Sequence, residues 1–145
     1  MPAGRQGFTL IEILVAATII AVLSVVGVAS YTSINKRSRD AKRTSDLEQV
    51  RSALEMYRVD KGSYPAGSTT GFRLLTDLDS SLVPDYMPSI PPDPQSPTKA
   101  YYYSPLGAGP NYYSYCVCAN AETGSGDTCN LPVANSNCNY YLKNP

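Results

Sequence analysis

The 145-residue chain has no histidine, and this alone removes Ser-His-Asp and Cys-His catalysis and most imidazole metal sites. It has no proline between Pro2 and Pro65, so no ring forces a helix in that interval to break. Net charge is also missing: 12 basic residues balance 12 acidic ones, and no nucleic-acid partner is indicated. Charge is scarcest across residues 8–29, where Glu12 is the single ionisable side chain. Cysteine is absent before Cys116, and all four cysteines follow it closely: Cys116, Cys118, Cys129 and Cys138.

What is present begins with that apolar run. Its 22 residues would form a helix of roughly 33 Å, enough to cross a bilayer core of ~30 Å. A carboxylate near the start of such a helix is costly in lipid, so Glu12 needs something to meet. A polar leader, residues 1–7, carries Arg5 and ends in Gly7 directly before the run. A secretory signal would have a shorter apolar stretch with small residues after it, and here the order is reversed. A cut after Gly7 would bare an α-amine on Phe8, protonated near neutral pH and four residues from Glu12.

The segment GFTLIEILVA, residues 7–16, with its basic leader, resembles the processing site of prepilins. That family comprises type IV pilins and the pseudopilins of type II secretion and DNA-uptake machines. The resemblance implies cleavage between Gly7 and Phe8 by a membrane-embedded prepilin peptidase and N-methylation of Phe8. It also implies that Glu12 meets the Phe8 amine of a neighbouring subunit during assembly of a helical homo-oligomeric filament. An inner-membrane platform protein and an assembly ATPase are the further partners implied. The expected location is the inner membrane, single-pass, with the C-terminal domain outside the cytoplasm, then a surface pilus or a periplasmic pseudopilus.

Past Ser30 the composition turns polar, and Leu47, Val50, Leu54 and Tyr57 follow at spacings of three and four, a stripe to pack on a globular domain. Arg51 with Glu48 or Glu55, and Glu55 with Arg58, sit at helical pairing distances. Gly62 and Pro65 end the run, so one helix of roughly 80 Å is expected over residues 8–61. Its membrane part is residues 8–29 and its amphipathic continuation residues 30–61. Residues 35–45 lack an apolar face, which suits a solvated neck or a stretch whose charges meet neighbouring subunits. Gly27 is the weak point of the apolar half, and the proline that many type IV pilins carry near it is missing.

Residues 62–145 form the expected globular domain. KGSYP, residues 61–65, resembles the family's G-x-Y-P turn. Leu74, Leu78 and Leu82 predict a short amphipathic helix stopped by Pro84. LVPDYMPSIPPDP, residues 82–94, resembles a proline-punctuated segment of pseudopilins and of several minimal-genome pilins. Tyrosine-rich runs at 100–104, 112–119 and 139–143 predict strands of a small antiparallel sheet. In the second run, alternation puts Tyr113, Tyr115 and Val117 on one face and Cys116 and Cys118 on the other. The expected fold is α+β, pilin-like: a long N-terminal helix backed by that sheet.

Cys116-x-Cys118 lacks the C-x2-C spacing of zinc ribbons, so two disulfides are expected, with Cys116 and Cys118 pairing outward to Cys129 and Cys138 in an order the sequence leaves open. They point to an oxidising compartment, whereas Lys36, Arg37, Arg39, Lys42 and Arg43 after the apolar run would favour a cytoplasmic domain. The leader and the cysteines outweigh those cations. Major pseudopilins bind calcium in a C-terminal loop, but that region here offers only Glu122 and Asp127 as carboxylates, beside Asn120 and Asn130. No metal or cofactor is expected. An enzyme would need a poised acid, base or nucleophile, and the sequence supplies none. The disulfide-held loop resembles a pilin, so the leading reading is a structural subunit of a type IV pilus-like filament, with a type II secretion major pseudopilin as the alternative.

Overall fold

The computed structural model describes residues 7–67, 71–107, 111–124, 129 and 138–144. One helix, α1 (Leu10–Lys61), runs through two compact units, Met1–Lys36 and Arg37–Pro145.

In the first unit the helix is bare. Leu10, Ile11, Ile13, Ile20, Leu23 and Val26 are all exposed, and the most apolar 18 residues of the helix have no part buried in the fold. Length and composition suffice to cross a membrane. The hydroxyls in this stretch are satisfied within it: Thr18 donates to the carbonyl of Val15 and Ser24 to that of Ile20, both at 2.8 Å. Hydroxyls that bond back to the helix leave no polar group in need of water, as an apolar solvent requires.

The second unit is the folded domain. After the last turns of α1 come β1 (Arg73–Leu74), a 3-10 turn (Leu75–Leu78), α2 (Asp79–Leu82), β2 (Tyr102–Leu106), β3 (Ser114–Ala119) and β4 (Tyr140–Lys143). The strands form one antiparallel sheet in the order β1-β2-β3-β4, with Tyr103 opposite Val117 and Cys118 opposite Tyr141. Leu47, Val50, Ala53 and Leu54 of α1 are buried in one cluster with Tyr101, Tyr103, Tyr115, Val117, Leu75, Leu78 and Leu82. Each fully buried leucine or valine is worth about 1.5–3 kcal/mol. The buried tyrosines also place their hydroxyls: Tyr101 donates to Asp46 at 2.9 Å, Tyr103 to the carbonyl of Pro65 at 2.8 Å, and Tyr115 to Glu55 at 3.2 Å. Burial pushes the pKa of all three phenols up, so they remain neutral donors.

Gly62 closes α1. It sits at φ 79°, a left-handed conformation that costs glycine little, and its N–H donates to the carbonyl of Arg58 at 2.8 Å. Tyr64 then bridges to Tyr112 across the domain.

Three expectations change. The leucine spacing of 74, 78 and 82 does not give one helix: Leu74 pairs with Tyr102 in β1, and the turn buries Leu75 in its place. Tyr113 precedes β3 and is exposed, so only Tyr115 and Val117 of its expected face reach the core. Residues 35–45 are neither a solvated neck nor wholly free for neighbours, because Arg39, Asp40 and Arg43 bind this chain's own domain.

Candidate assembly site and loop clamp

Gly7, Phe8 and Glu12 lie within the first turns of the chain's apolar end. No atom outside the immediate chain approaches the position a Gly7 Cβ would take, and Phe8 is 84% exposed. Glu12 folds back on the start of its helix. The N–H and the hydroxyl of Thr9 each donate to its Oε2 at 2.8 Å, while the Glu12 N–H donates to Thr9 Oγ1 at 3.3 Å. This is a capping box, in which N-cap threonine and N3 glutamate satisfy each other's orphan groups. The carboxylate is thereby held at the positive end of the helix dipole, which favours it. The T-x-x-E spacing of Thr9 and Glu12 is the sequence sign of this box.

The second site is a clamp on the segment that follows β3. Arg39 makes a bidentate pair with Glu122, 2.6 and 2.7 Å. Arg43, 1% exposed, donates to both oxygens of Asp93 at 2.8 and 3.0 Å, to Asp40 at 2.7 Å, to Gln95 at 3.0 Å and to Glu122 at 3.3 Å. Asp40 in turn accepts the backbone N–H groups of Glu122 and Thr123 and the Thr123 hydroxyl. One helical turn thus holds both the proline-rich segment, through Asp93, and the chain leaving β3, through Glu122 and Thr123.

The electrostatics follow. Burial pushes the Asp40 carboxyl up, but hydrogen bonds from Thr123, the Glu122 and Thr123 backbone and Arg43 outweigh it and leave the group at about 2. Arg39 chiefly, then Arg43, draws Glu122 down to about 2 against its desolvation. Hydrogen bonding to Asp93 raises the Arg43 guanidinium further above its ordinary value. Lys42 pairs with buried Asp46 at 2.6 Å.

Beyond the clamp the four cysteines pair as Cys116–Cys129 and Cys118–Cys138, with Cα separations of 6.4 and 5.7 Å. Both bridges leave the same face of β3, as strand alternation requires. Closing loops of this length is worth about 2–4 kcal/mol each.

Two of the oxygens weighed as calcium ligands, those of Glu122 and Asn120, are already engaged. Glu122 gives both oxygens to arginine, and Asn120 accepts from Lys99 at 3.2 Å. Asp127 and Asn130 lie outside the described residues. Among the described residues no cluster of three or more His, Cys, Asp or Glu could hold a metal ion.

An apolar helix capped by its own lone carboxylate, continuing into the core of a small antiparallel sheet domain, defines a pilin-like class of protein. The comparisons agree. The model described as a prokaryotic N-terminal methylation motif matches residues 2–28, and that for type II secretion system (T2SS), protein G, matches residues 30–131. The chain belongs to the type II secretion protein G family. It is similar to the type II secretion system core protein G of Escherichia coli K12, 29% identical over 85% of this chain and 78% of that protein. The core protein G of Pseudomonas aeruginosa is 26% identical over 85% of this chain and 89% of its own length. The type IV wide pilus major component PilA4 of Thermus thermophilus is 39% identical, over 41% of this chain and 45% of its own. No solved structure is significantly similar.

Proposed function

We propose that the chain is a structural subunit of a type IV pilus-like filament, cut between Gly7 and Phe8 by a prepilin peptidase and N-methylated on Phe8. The observation that carries this is the bare apolar stretch at the start of α1, residues 8–29, whose only carboxylate, Glu12, sits in the first turn. In this reading residues 1–7 are the leader, 8–29 the membrane and assembly helix, 30–61 its continuation and 62–145 the domain. The subunit waits in the inner membrane with its domain outside the cytoplasm, where the two disulfides can form. A platform protein and an ATPase drive its extraction. Its work is structural, not enzymatic.

The match to protein G over residues 30–131 favours the secretion branch, a major pseudopilin, as the second reading. The disulfide-held segment after β3 supports the pilus branch.

N-terminal mass spectrometry of membrane-extracted protein tests the proposal. The wild type is expected to begin at methylated Phe8, and Gly7→Val to keep its leader and form no fibre. A polymerising protein that still begins at Met1 would refute it.

A further inference from the structure

Cys116 and Cys118 stand side by side on one face of β3, about 6.7 Å apart along the strand and pointing the same way, so they do not close on each other. The observed bridges, Cys116–Cys129 and Cys118–Cys138, span 13 and 20 residues and interleave. The exchanged pairs, Cys118–Cys129 and Cys116–Cys138, would span 11 and 22 residues and nest. Loop-closure entropy grows only with the logarithm of length, so it separates the two arrangements by less than a factor of about 1.5. Loop length therefore does not choose the pairing.

The docking of β4 does. Asn139, the neighbour of Cys138, donates its backbone N–H to the carbonyl of Ala119 at 3.1 Å. Its side-chain oxygen accepts the Ala121 N–H at 2.6 Å, and its Nδ2 donates to the Ala121 carbonyl at 2.8 Å. The register that follows sets Tyr141 opposite Cys118 and Lys143 opposite Cys116, which leaves Cys138 at the Cys118 end of β3. Yet β4 has four residues and none is buried, so before the bridges close it has little to hold it. β3, by contrast, pairs with β2 over five residues. Both strand thiols are thus presented on a formed strand before their partners are fixed.

We propose that maturation of this chain includes a thiol–disulfide exchange step, with a disulfide isomerase of the oxidising compartment as the partner. Asn139 is the residue that makes the exchange end in the observed pairing. The isomerase thiolate attacks Cys118 of an exchanged Cys118–Cys129 bridge, forms a mixed disulfide and releases Cys129 as thiolate. Cys129 attacks the Cys116–Cys138 bridge at Cys116, closing Cys116–Cys129 and releasing Cys138. Cys138 attacks the mixed disulfide at Cys118, closes the second bridge and returns the isomerase thiolate. Nothing is oxidised or reduced overall. Once both bridges are closed, Cys116 and Cys118 are fully buried and out of a thiolate's reach. The partner's location rests on the reading that the domain lies outside the cytoplasm; the exchange itself is a property of the chain.

The test uses the full-length chain in detergent, reduced, unfolded in urea and diluted into diamide with no thiol present. Elastase cleavage after Val117 separates Cys116 from Cys118, and mass spectrometry then reads the pairing. Both arrangements should appear within about threefold of each other. After removal of diamide, reduced glutathione should bring the observed pairing to an excess of about tenfold or more, and a catalytic amount of disulfide isomerase should speed that conversion about tenfold. Asn139→Ala should lower the final excess about tenfold. The observed pairing alone at the first stage overturns the exchange step, and a mixture that thiol leaves unchanged overturns selection by the fold. A rate indifferent to the isomerase removes that partner, and an Asn139→Ala chain that resolves like wild type removes Asn139 from its role. None of these readouts depends on processing or fibre formation, so a chain that polymerises from Met1 sinks the filament reading and leaves them standing.

Discussion

Replacing Arg43 with methionine keeps most of the side chain's stem and removes its charge. The carboxylate of Asp93, fully buried, then faces no cation, and Asp40 and Glu122 lose one of theirs. Breaking a buried ion pair from one side costs about 3–5 kcal/mol, because the remaining charge stays desolvated and unmatched. For a unit the size of Arg37–Pro145 that is a fall in Tm of about 12 °C or more. The pH dependence should change as well. In the wild type, Asp40 and Glu122 both sit at about 2, below their ordinary values of 3.8 and 4.5. A carboxylate depressed by folding stabilises the fold above its ordinary pKa and loses that contribution as pH falls toward the folded value. Stability should therefore drop between about pH 4.5 and 2. In Arg43→Met the slope over that window should flatten without vanishing, because Thr123 still bonds Asp40 and Arg39 still pairs with Glu122. Urea unfolding of the detergent-extracted full chain, followed by near-ultraviolet circular dichroism of its tyrosines, measures both effects. A loss under about 1 kcal/mol at pH 7, or an acid slope equal to wild type, would refute the clamp as the holder of these carboxylates.

Glu12→Gln should still be cleaved after Gly7 but give less fibre, read by mass spectrometry and electron microscopy together; wild-type yield would show that the charge is dispensable. Replacing Cys118 and Cys138 with serine should cost about 2–5 kcal/mol and speed amide exchange in β4. Unchanged exchange there would mean that pairing with β3 holds the strand without the bridge. Tyr101→Phe strips buried Asp46 of one hydrogen bond while Lys42 keeps the other, so a loss of about 1–3 kcal/mol is expected in the same urea assay.

The elements legible in the sequence are those whose signal is local. Leu47, Val50 and Leu54 name their own buried face by spacing, Gly62 marks the end of α1 because only a left-handed residue can accept that turn cheaply, and the alternation of Tyr115, Cys116, Val117 and Cys118 sorts core from disulfide face. Glu12 is conspicuous as a lone acid in an apolar run. Its partner within the chain, Thr9, was equally local, and its T-x-x-E spacing could have been read as a capping box. The order of disulfide pairing was beyond reach, since Cys129 and Cys138 both follow β3 and either could close on either strand cysteine.

The clamp was illegible for a different reason. Lys36, Arg37, Arg39, Lys42 and Arg43 form one basic cluster in the sequence, and no periodicity separates them. Their roles are set by acids at distances the pattern cannot encode: Glu122 lies 83 residues from Arg39, and Asp93 lies 50 from Arg43. Folding takes Arg39, Lys42 and Arg43 into pairs with the chain's own carboxylates. Lys36 and Arg37 are left facing outward. The cluster thus divides between holding the domain together and offering charge to something else. Arg43→Met should therefore lower stability before it lowers assembly, and Arg37→Glu should do the reverse; loss of stability from Arg37→Glu would show that the division is wrong.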